Sequence, residues 1–202
     1  MGNHTNNPEQ SLHVETQWEE IYSDPQTAHK NQYPTELVVS TVFRNFKTRA
    51  GLKALDLGCG WGNNLRFLRD AGFDAYGIEI SRTAVESMRD EFGVHVVQGT
   101  FLDLPFPDDH FSFVLDRSSI QHNPIHDIPA AIEEARRVLK LGGIFFSMMV
   151  ATHTNAYNAT VLSEPEVRSL LSGFREFSLD SETRSSNAGS RIHTVHLITA
   201  RK

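Results

Sequence analysis

From Leu52 onward the chain alternates short apolar runs with amphipathic segments of about ten residues, and this alternation leaves few folds open. Lys53–Leu57, Asp74–Ile80, Val94–Gln98, Phe111–Arg117 and Ile144–Val150 read as strands. Between them the pattern predicts a helix over 63–70 and one starting at Ser81, with Val85, Met88 and Phe92 on one face. A third, over 127–140, aligns Ile128, Ala131, Ile132, Ala135, Val138 and Leu139, and Gly142-Gly143 is predicted to end it. Strands joined by helical crossovers form βαβ units, hence a parallel sheet with right-handed connections. Ser163-Glu164-Pro165-Glu166 reads as a capping box opening a last helix, followed by two strands near 174–180 and 191–200. The predicted fold class is α/β, an open, doubly wound, mostly parallel seven-stranded sheet with helices on both faces.

Composition narrows the function. Lys+Arg number 19 against 25 Asp+Glu, a formal charge of −6, and no long basic run offers a phosphate-binding surface, so no nucleic-acid partner is expected. The single cysteine, Cys59, excludes an intrachain disulfide framework and a cysteine zinc site. Ten histidines occur, yet none sits at metal-ligand spacing, so no metal is expected. The longest apolar stretch, Ile144–Ala151, is far short of the roughly 20 residues of a spanning helix, and Met1-Gly2-Asn3-His4 opens no apolar leader. No membrane partner and a cytoplasmic location are the expectations. Upstream, 1–12 is Asn-rich and aperiodic and reads as a mobile tail; 14–22 and 34–46 read as short amphipathic helices.

The densest signal is Asp56-Leu57-Gly58-Cys59-Gly60-Trp61-Gly62-Asn63, directly after a strand and opening a helix. Glycines at alternate positions permit a tight turn and a close backbone approach to a ligand. A dinucleotide fingerprint G-x-G-x-x-G/A needs a small third residue where Asn63 stands. Asp56 at the strand end suits a ligand carrying positive charge and suits a pyrophosphate poorly.

This Asp56-x-Gly58-x-Gly60-x-Gly62 segment closely resembles motif I of the class I S-adenosylmethionine-dependent methyltransferases. Glu79 matches the family's acid that binds both ribose hydroxyls, Leu104–Phe111 resembles L-P-F-P-D-x-x-F-D, and Arg137–Gly143 resembles R-V-L-K-P-G-G. The resemblance covers about Leu52–Val150, half the chain, and implies a Rossmann-like sheet with an antiparallel final strand. It implies S-adenosyl-L-methionine as cofactor, held by Asp56, Gly58, Cys59, Gly60, Gly62, Glu79, Ile80, Thr100, Phe101, Asp116 and Arg117. Thr100 stands where many relatives have an adenine-binding Asp; Asp103, or Thr100 with the Phe101 backbone, are the alternatives. Asp116 and Arg117 are alternatively a structural pair, and Cys59 a small packed residue. Glu79, at the ligand edge of the sheet, has few packing duties on this reading.

Methyl transfer needs an acceptor held in line in a site that excludes water. His122, just beyond the fourth strand, is the candidate general base; the alternative is a histidine packed under the cofactor or capping a loop. Trp18, Tyr22 and Tyr33 are candidates for an aromatic lid, although helix packing also accounts for Trp18. The polar stretch 151–162, with His153, Asn155, Tyr157 and Asn158, reads as an acceptor loop. The amino-methylating nucleic-acid enzymes of the family carry N/D-P-P-Y where this chain has Asp116-Arg117-Ser118-Ser119, and metalloid methylation needs several cysteines. A small-molecule acceptor methylated on oxygen is the leading expectation, with nitrogen second. A non-catalytic cofactor-binding or partner-regulating protein, and more remotely a nicotinamide-dependent oxidoreductase, stay open. One domain is expected over 13–202: N-terminal helices and lid (13–50), cofactor-binding core (52–150), acceptor loop and terminal strands (151–202).

Overall fold

A computed structural model describes residues 8–25, 32–92, 95–152, 159–186 and 191–202. The elements run α1 (Pro8–Ser23), α2 (Glu36–Asn45), β1 (Lys53–Leu57), α3 (Asn63–Asp70), β2 (Asp74–Glu79), α4 (Arg82–Phe92), β3 (His95–Gln98), β4 (Phe111–Arg117), α5 (Ile128–Val138), β5 (Leu139–Val150), α6 (Glu164–Leu170), β6 (Glu176–Ser186) and β7 (Arg191–Arg201). They build one seven-stranded sheet in the order β3-β2-β1-β4-β5-β7-β6. The first five strands are parallel, and β7 pairs antiparallel with both β5 and β6.

Alternation along each strand feeds two cores. Val38 and Val42 of α2, Leu65 and Leu68 of α3, and Val85 and Met88 of α4 cover Ala54, Phe113, Leu115, Phe146 and Met148 on one face. Ile128, Ala131, Ile132 and Ala135 of α5, with Val167 of α6, cover Leu55, Leu57, Val114, Phe145 and Met149 on the other. Strands covered on both sides read as continuous apolar runs, which accounts for Phe113–Leu115 and Ile144–Phe146. Each such large side chain contributes about 1.5–3 kcal/mol by leaving water.

Chain order reverses between β1 and β4: β1 leads outward to β2 and β3, then the chain returns to β4 and β5. Open α/β sheets bind ligands in the crevice that opens there, at the carboxyl ends of the strands. Leu57 pairs with Ile78 on one side and Asp116 on the other, so the glycine loop, Glu79 and Asp116 emerge at one level.

Several expected bounds move. Helix α1 begins at Pro8, so residues 8–12, expected in the tail, are helical. The helix over 127–140 ends at Val138, and Leu139–Gly143, expected to close it, already belong to β5. Leu139 pairs with Phe111, the register shifts between Phe111 and Phe113, and Gly142 at φ +76° donates its N–H to the Lys202 carbonyl. The Lys202 ammonium donates to the carbonyls of Arg137 and Leu139, so a residue distant in sequence closes the helix end that the glycines were expected to close. Strand β6 extends to Ser186, well beyond the predicted 180.

Candidate functional site

The glycine loop leaves β1 through three left-handed residues, Gly58, Gly60 and Gly62, at φ +62°, +53° and +74°. Two of them also lack room for a side chain. A Cβ on Gly58 would lie 2.5 Å from Ser119 Oγ and 2.6 Å from Ser119 Cβ; one on Gly60 would lie 2.5 Å from the Tyr22 hydroxyl. Ser119 Oγ donates to the Gly58 carbonyl (3.2 Å), tying the two lips of the β1/β4 crevice together. Cys59 is buried with its sulfur 3.8 Å from that of Met88, and burial together with nearby Asp56 and Glu79 pushes its thiol acidity well down. It is a packed residue.

Glu79 ends β2 buried. One carboxylate oxygen accepts the Gly60 N–H (2.9 Å) and the other the Ser81 N–H (3.0 Å), so it links the glycine loop to the start of α4. That pair of bonds is a structural duty the sequence reading did not give it. Burial raises its pKa and the backbone donors oppose that rise. Asp56 is fully buried at the end of β1, with Oδ2 lacking any hydrogen-bond partner. Desolvation first, then the charges of Asp116 and Glu79, push its pKa well up, while the Arg117 guanidinium pulls it back.

Asp116 is satisfied by its own surroundings. Its Oδ1 accepts the N–H groups of Ser119 (2.8 Å) and Ile120 (3.1 Å), and its Oδ2 accepts the Ser147 hydroxyl (2.6 Å). Desolvation nevertheless pushes its pKa up to about 6. These bonds hold the β4 exit, a positioning duty beside the expected cofactor contact, and leave Oδ2 a second lone pair. Ser118, at φ +60°, starts the turn that Asp116 holds. That turn, Ile120–His122, carries His122, whose ring meets Trp18 edge-on at 5.1 Å. Buried Gln121 accepts the Val150 N–H through its side chain (2.6 Å) and the Thr160 N–H through its carbonyl (2.7 Å), pinning the turn to β5. Arg117 is exposed, and its charge acts on Asp56, Asp116 and Tyr22.

The adenine side is less closed. The Thr100 hydroxyl accepts the Leu102 N–H (3.2 Å), Phe101 packs against the α5-side core, and Asp103 is exposed. The carbonyl of half-buried Ile80 accepts from the Gln98 amide (3.3 Å). Above the loop lies an aromatic group that differs from the expected one. Trp18 meets Tyr22 at 5.9 Å, and Tyr22 meets Trp61 at 5.2 Å. Tyr33 is 78% exposed, and its backbone carbonyl accepts from the Asn63 side chain. Trp61 takes the place expected of Tyr33, and only its adjacency to the glycine loop hinted at this. Burial and the neighbouring carboxylates keep the Tyr22 phenol protonated. The expected acceptor residues His153, Asn155, Tyr157 and Asn158 lie outside the described residues. Among the described residues no group of three or more His, Cys, Asp or Glu stands ready to hold a metal, and no helix is long and apolar enough to cross a membrane.

The arrangement therefore gathers three buried carboxylates, Asp56, Glu79 and Asp116, around a crevice beside one guanidinium. Residues 54–143 match the family model described as a methyltransferase domain. Over that segment, just under half of its length, the chain is similar to the class I S-adenosylmethionine-dependent methyltransferases. The chain is 36% identical over 104 residues to a sarcosine/dimethylglycine N-methyltransferase of Aphanothece halophytica, covering 48% of this chain and 37% of that protein. It is 32% identical over 122 residues to a fatty-acid O-methyltransferase of Mycolicibacterium smegmatis, covering 57% and 42%. It thus spans less than half the length of either relative. In fold it is similar to the Burkholderia thailandensis 1,6-didemethyltoxoflavin-N1-methyltransferase, solved with bound 1,6-didemethyltoxoflavin and S-adenosylhomocysteine, at TM-score 0.76 and 14% identity over 100% of this chain and 93% of that one.

S-adenosylmethionine, the cofactor of the family that residues 54–143 resemble, fits the donor set of this site. A buried carboxylate oxygen without a partner, beside two further acids, calls for a cation or a strong donor. The Glu79 oxygens each accept one backbone N–H and keep a second lone pair for hydroxyl groups.

Proposed function

We propose that this chain transfers a methyl group from S-adenosylmethionine to a small-molecule acceptor, at oxygen, by in-line displacement. The observation that carries the reading is the crowding of buried acids: Asp116 and Glu79 add to the cost that burial puts on ionising Asp56, and Asp56 Oδ2 has nothing to bond. A dinucleotide would add two phosphates to that crowding; a sulfonium and an ammonium relieve it.

S-adenosylmethionine, when bound, supplies an activated methyl on positively charged sulfur. Glu79 holds hydroxyl groups at the end of β2, and Asp56 holds a donor or cation over β1. The rings of Trp18, Tyr22 and Trp61 keep water from the crevice, which strengthens every charge interaction beneath them. Asp116, through the Ser119 and Ile120 N–H groups, orients the turn that carries His122. His122 accepts the proton of an acceptor hydroxyl at an imidazole nitrogen, since its ordinary pKa lies close to neutral. An acceptor arriving as a neutral amine would make that proton transfer unnecessary, so the acceptor atom and the His122 role stand together.

The test is turnover. The chain is incubated with methyl-labelled S-adenosylmethionine and a panel of phenols, carboxylic acids and amines, with label followed into product by mass spectrometry. Labelled ethers or esters are expected. Label in amines alone would replace oxygen by nitrogen, and binding without any turnover on broad panels would favour a non-catalytic role.

A further inference from the structure

Helix α1 sits over the crevice, yet none of its described side chains belongs to either buried core. It packs on α4, and its anchorage there is polar. The Glu19 carboxylate accepts the Ser81 hydroxyl (2.7 Å) and the Thr83 N–H (3.3 Å) on one oxygen and the Thr83 hydroxyl (2.5 Å) on the other. These partners are 62 and 64 residues away in sequence, at the first turn of α4. Ser81 is fully buried and itself donates its N–H to Glu79, whose other oxygen takes the Gly60 N–H. The circuit closes above, where the Tyr22 hydroxyl sits over Gly60, one turn of α1 beyond Glu19. Trp18, adjacent to Glu19, lies against His122. Among its described side chains the helix adds none to a buried core yet reaches the site at three points, and elements without buried apolar anchorage open at low free energy.

We propose that Glu19 is a positioning residue of the cofactor site: acting through Ser81 and Thr83, it latches α1 so that Trp18 and Tyr22 roof the crevice and slow the departure of cofactor. The proposal rests on the cofactor reading above. Burial alone would raise the Glu19 pKa, but the hydroxyl donors of Thr83 and Ser81 outweigh it and hold the carboxylate below its ordinary value. The latch is therefore charged throughout the neutral range.

The test uses the full chain, with S-adenosylhomocysteine as probe, in the parent, Glu19→Gln, Thr83→Ala and the double variant. Calorimetry and stopped-flow release are run beside hydrogen exchange of the ligand-free proteins. Each single variant should bind roughly tenfold more weakly, the low end for charge-assisted hydrogen bonds because Glu19 is part-exposed, with the loss appearing as faster release. The double variant should lose little more than the worse single one, because both changes break one contact. Amides of 8–23 should exchange faster while those of β1, β4 and β5 keep their protection. Normal S-adenosylhomocysteine affinity in Glu19→Gln, additive losses in the double variant, or protection lost equally across β1 and β4 would each overturn the proposal. A parent that does not bind the probe would instead overturn the cofactor reading, and the roof's binding role with it.

Discussion

Replacing Asp116 by Asn should change how stability depends on pH more than it changes the fold. In the parent, burial pushes the Asp116 pKa up to about 6, against an ordinary carboxyl value of 3.8. Between these values the unfolded chain has released the proton and the folded chain still holds it. The folded state then binds more protons, so stability falls as pH rises through this window. A shift of about two units corresponds to about 3 kcal/mol, reached in full above pH 6. Asn is a neutral substitute of the same shape. Its oxygen can accept the Ser119 and Ile120 N–H groups, and its amide can donate to Ser147 Oγ, whose hydroxyl proton turns away. The variant should therefore lack most of that decline, and its urea midpoint should fall less than the parent's between pH 4 and pH 7. A second consequence follows at Asp56: with the Asp116 charge gone, one of the influences raising its pKa disappears. Urea titrations at half-unit pH steps measure both profiles. Parallel curves for parent and variant would refute the reasoning, because they would mean Asp116 ionises in the folded state as it does in water.

Three further outcomes are expected. Glu79→Gln should weaken binding of S-adenosylhomocysteine by roughly 1.5–3 kcal/mol in calorimetry, and Glu79→Ala should in addition lower the melting temperature by orphaning the Gly60 and Ser81 N–H groups. His122→Ala should lower kcat roughly 10²–10⁴-fold on a hydroxyl acceptor while leaving cofactor affinity near the parent's, and the deficit should shrink with a more acidic acceptor; a stable variant with undiminished kcat removes the base. Gly58→Ala should destabilise by about 1–2 kcal/mol for its left-handed backbone alone, and by more because the Ser119 side chain must move; a melting curve matching the parent's would contradict that close approach.

What the sequence made legible follows the reach of the interactions concerned. Helix α3 and strand β4 occupy the expected residues, because a glycine stop and an unbroken apolar run are local signals. The early start of β5 was not legible, since it depends on pairing with Phe111 and on Lys202, contacts from distant parts of the chain. The same holds in the site. Asp56, the glycines and Glu79 converge as their spacing after β1 and β2 implied. Asp116 reads as a ligand in sequence, and its bonds to Ser119, Ile120 and Ser147, which hold the β4 exit, were not legible there. Glu19 carries no signal at all: one acid among several on a polar helix gains its meaning only when α1 meets α4. Tyr33 and Trp61 exchange places for the same reason, because adjacency to an aromatic-rich segment says nothing about which ring turns inward.

The central claim is that this crevice is built for a sulfonium cofactor and not for a dinucleotide. Calorimetric titration of the full chain with S-adenosylmethionine, S-adenosylhomocysteine and the oxidised and reduced nicotinamide dinucleotides tests it most directly. Both sulfur compounds should bind at one site and raise the melting temperature, Asp56→Asn should weaken the sulfonium more than the neutral thioether, and the dinucleotides should give no heat. Tight dinucleotide binding with none for S-adenosylmethionine would contradict the account.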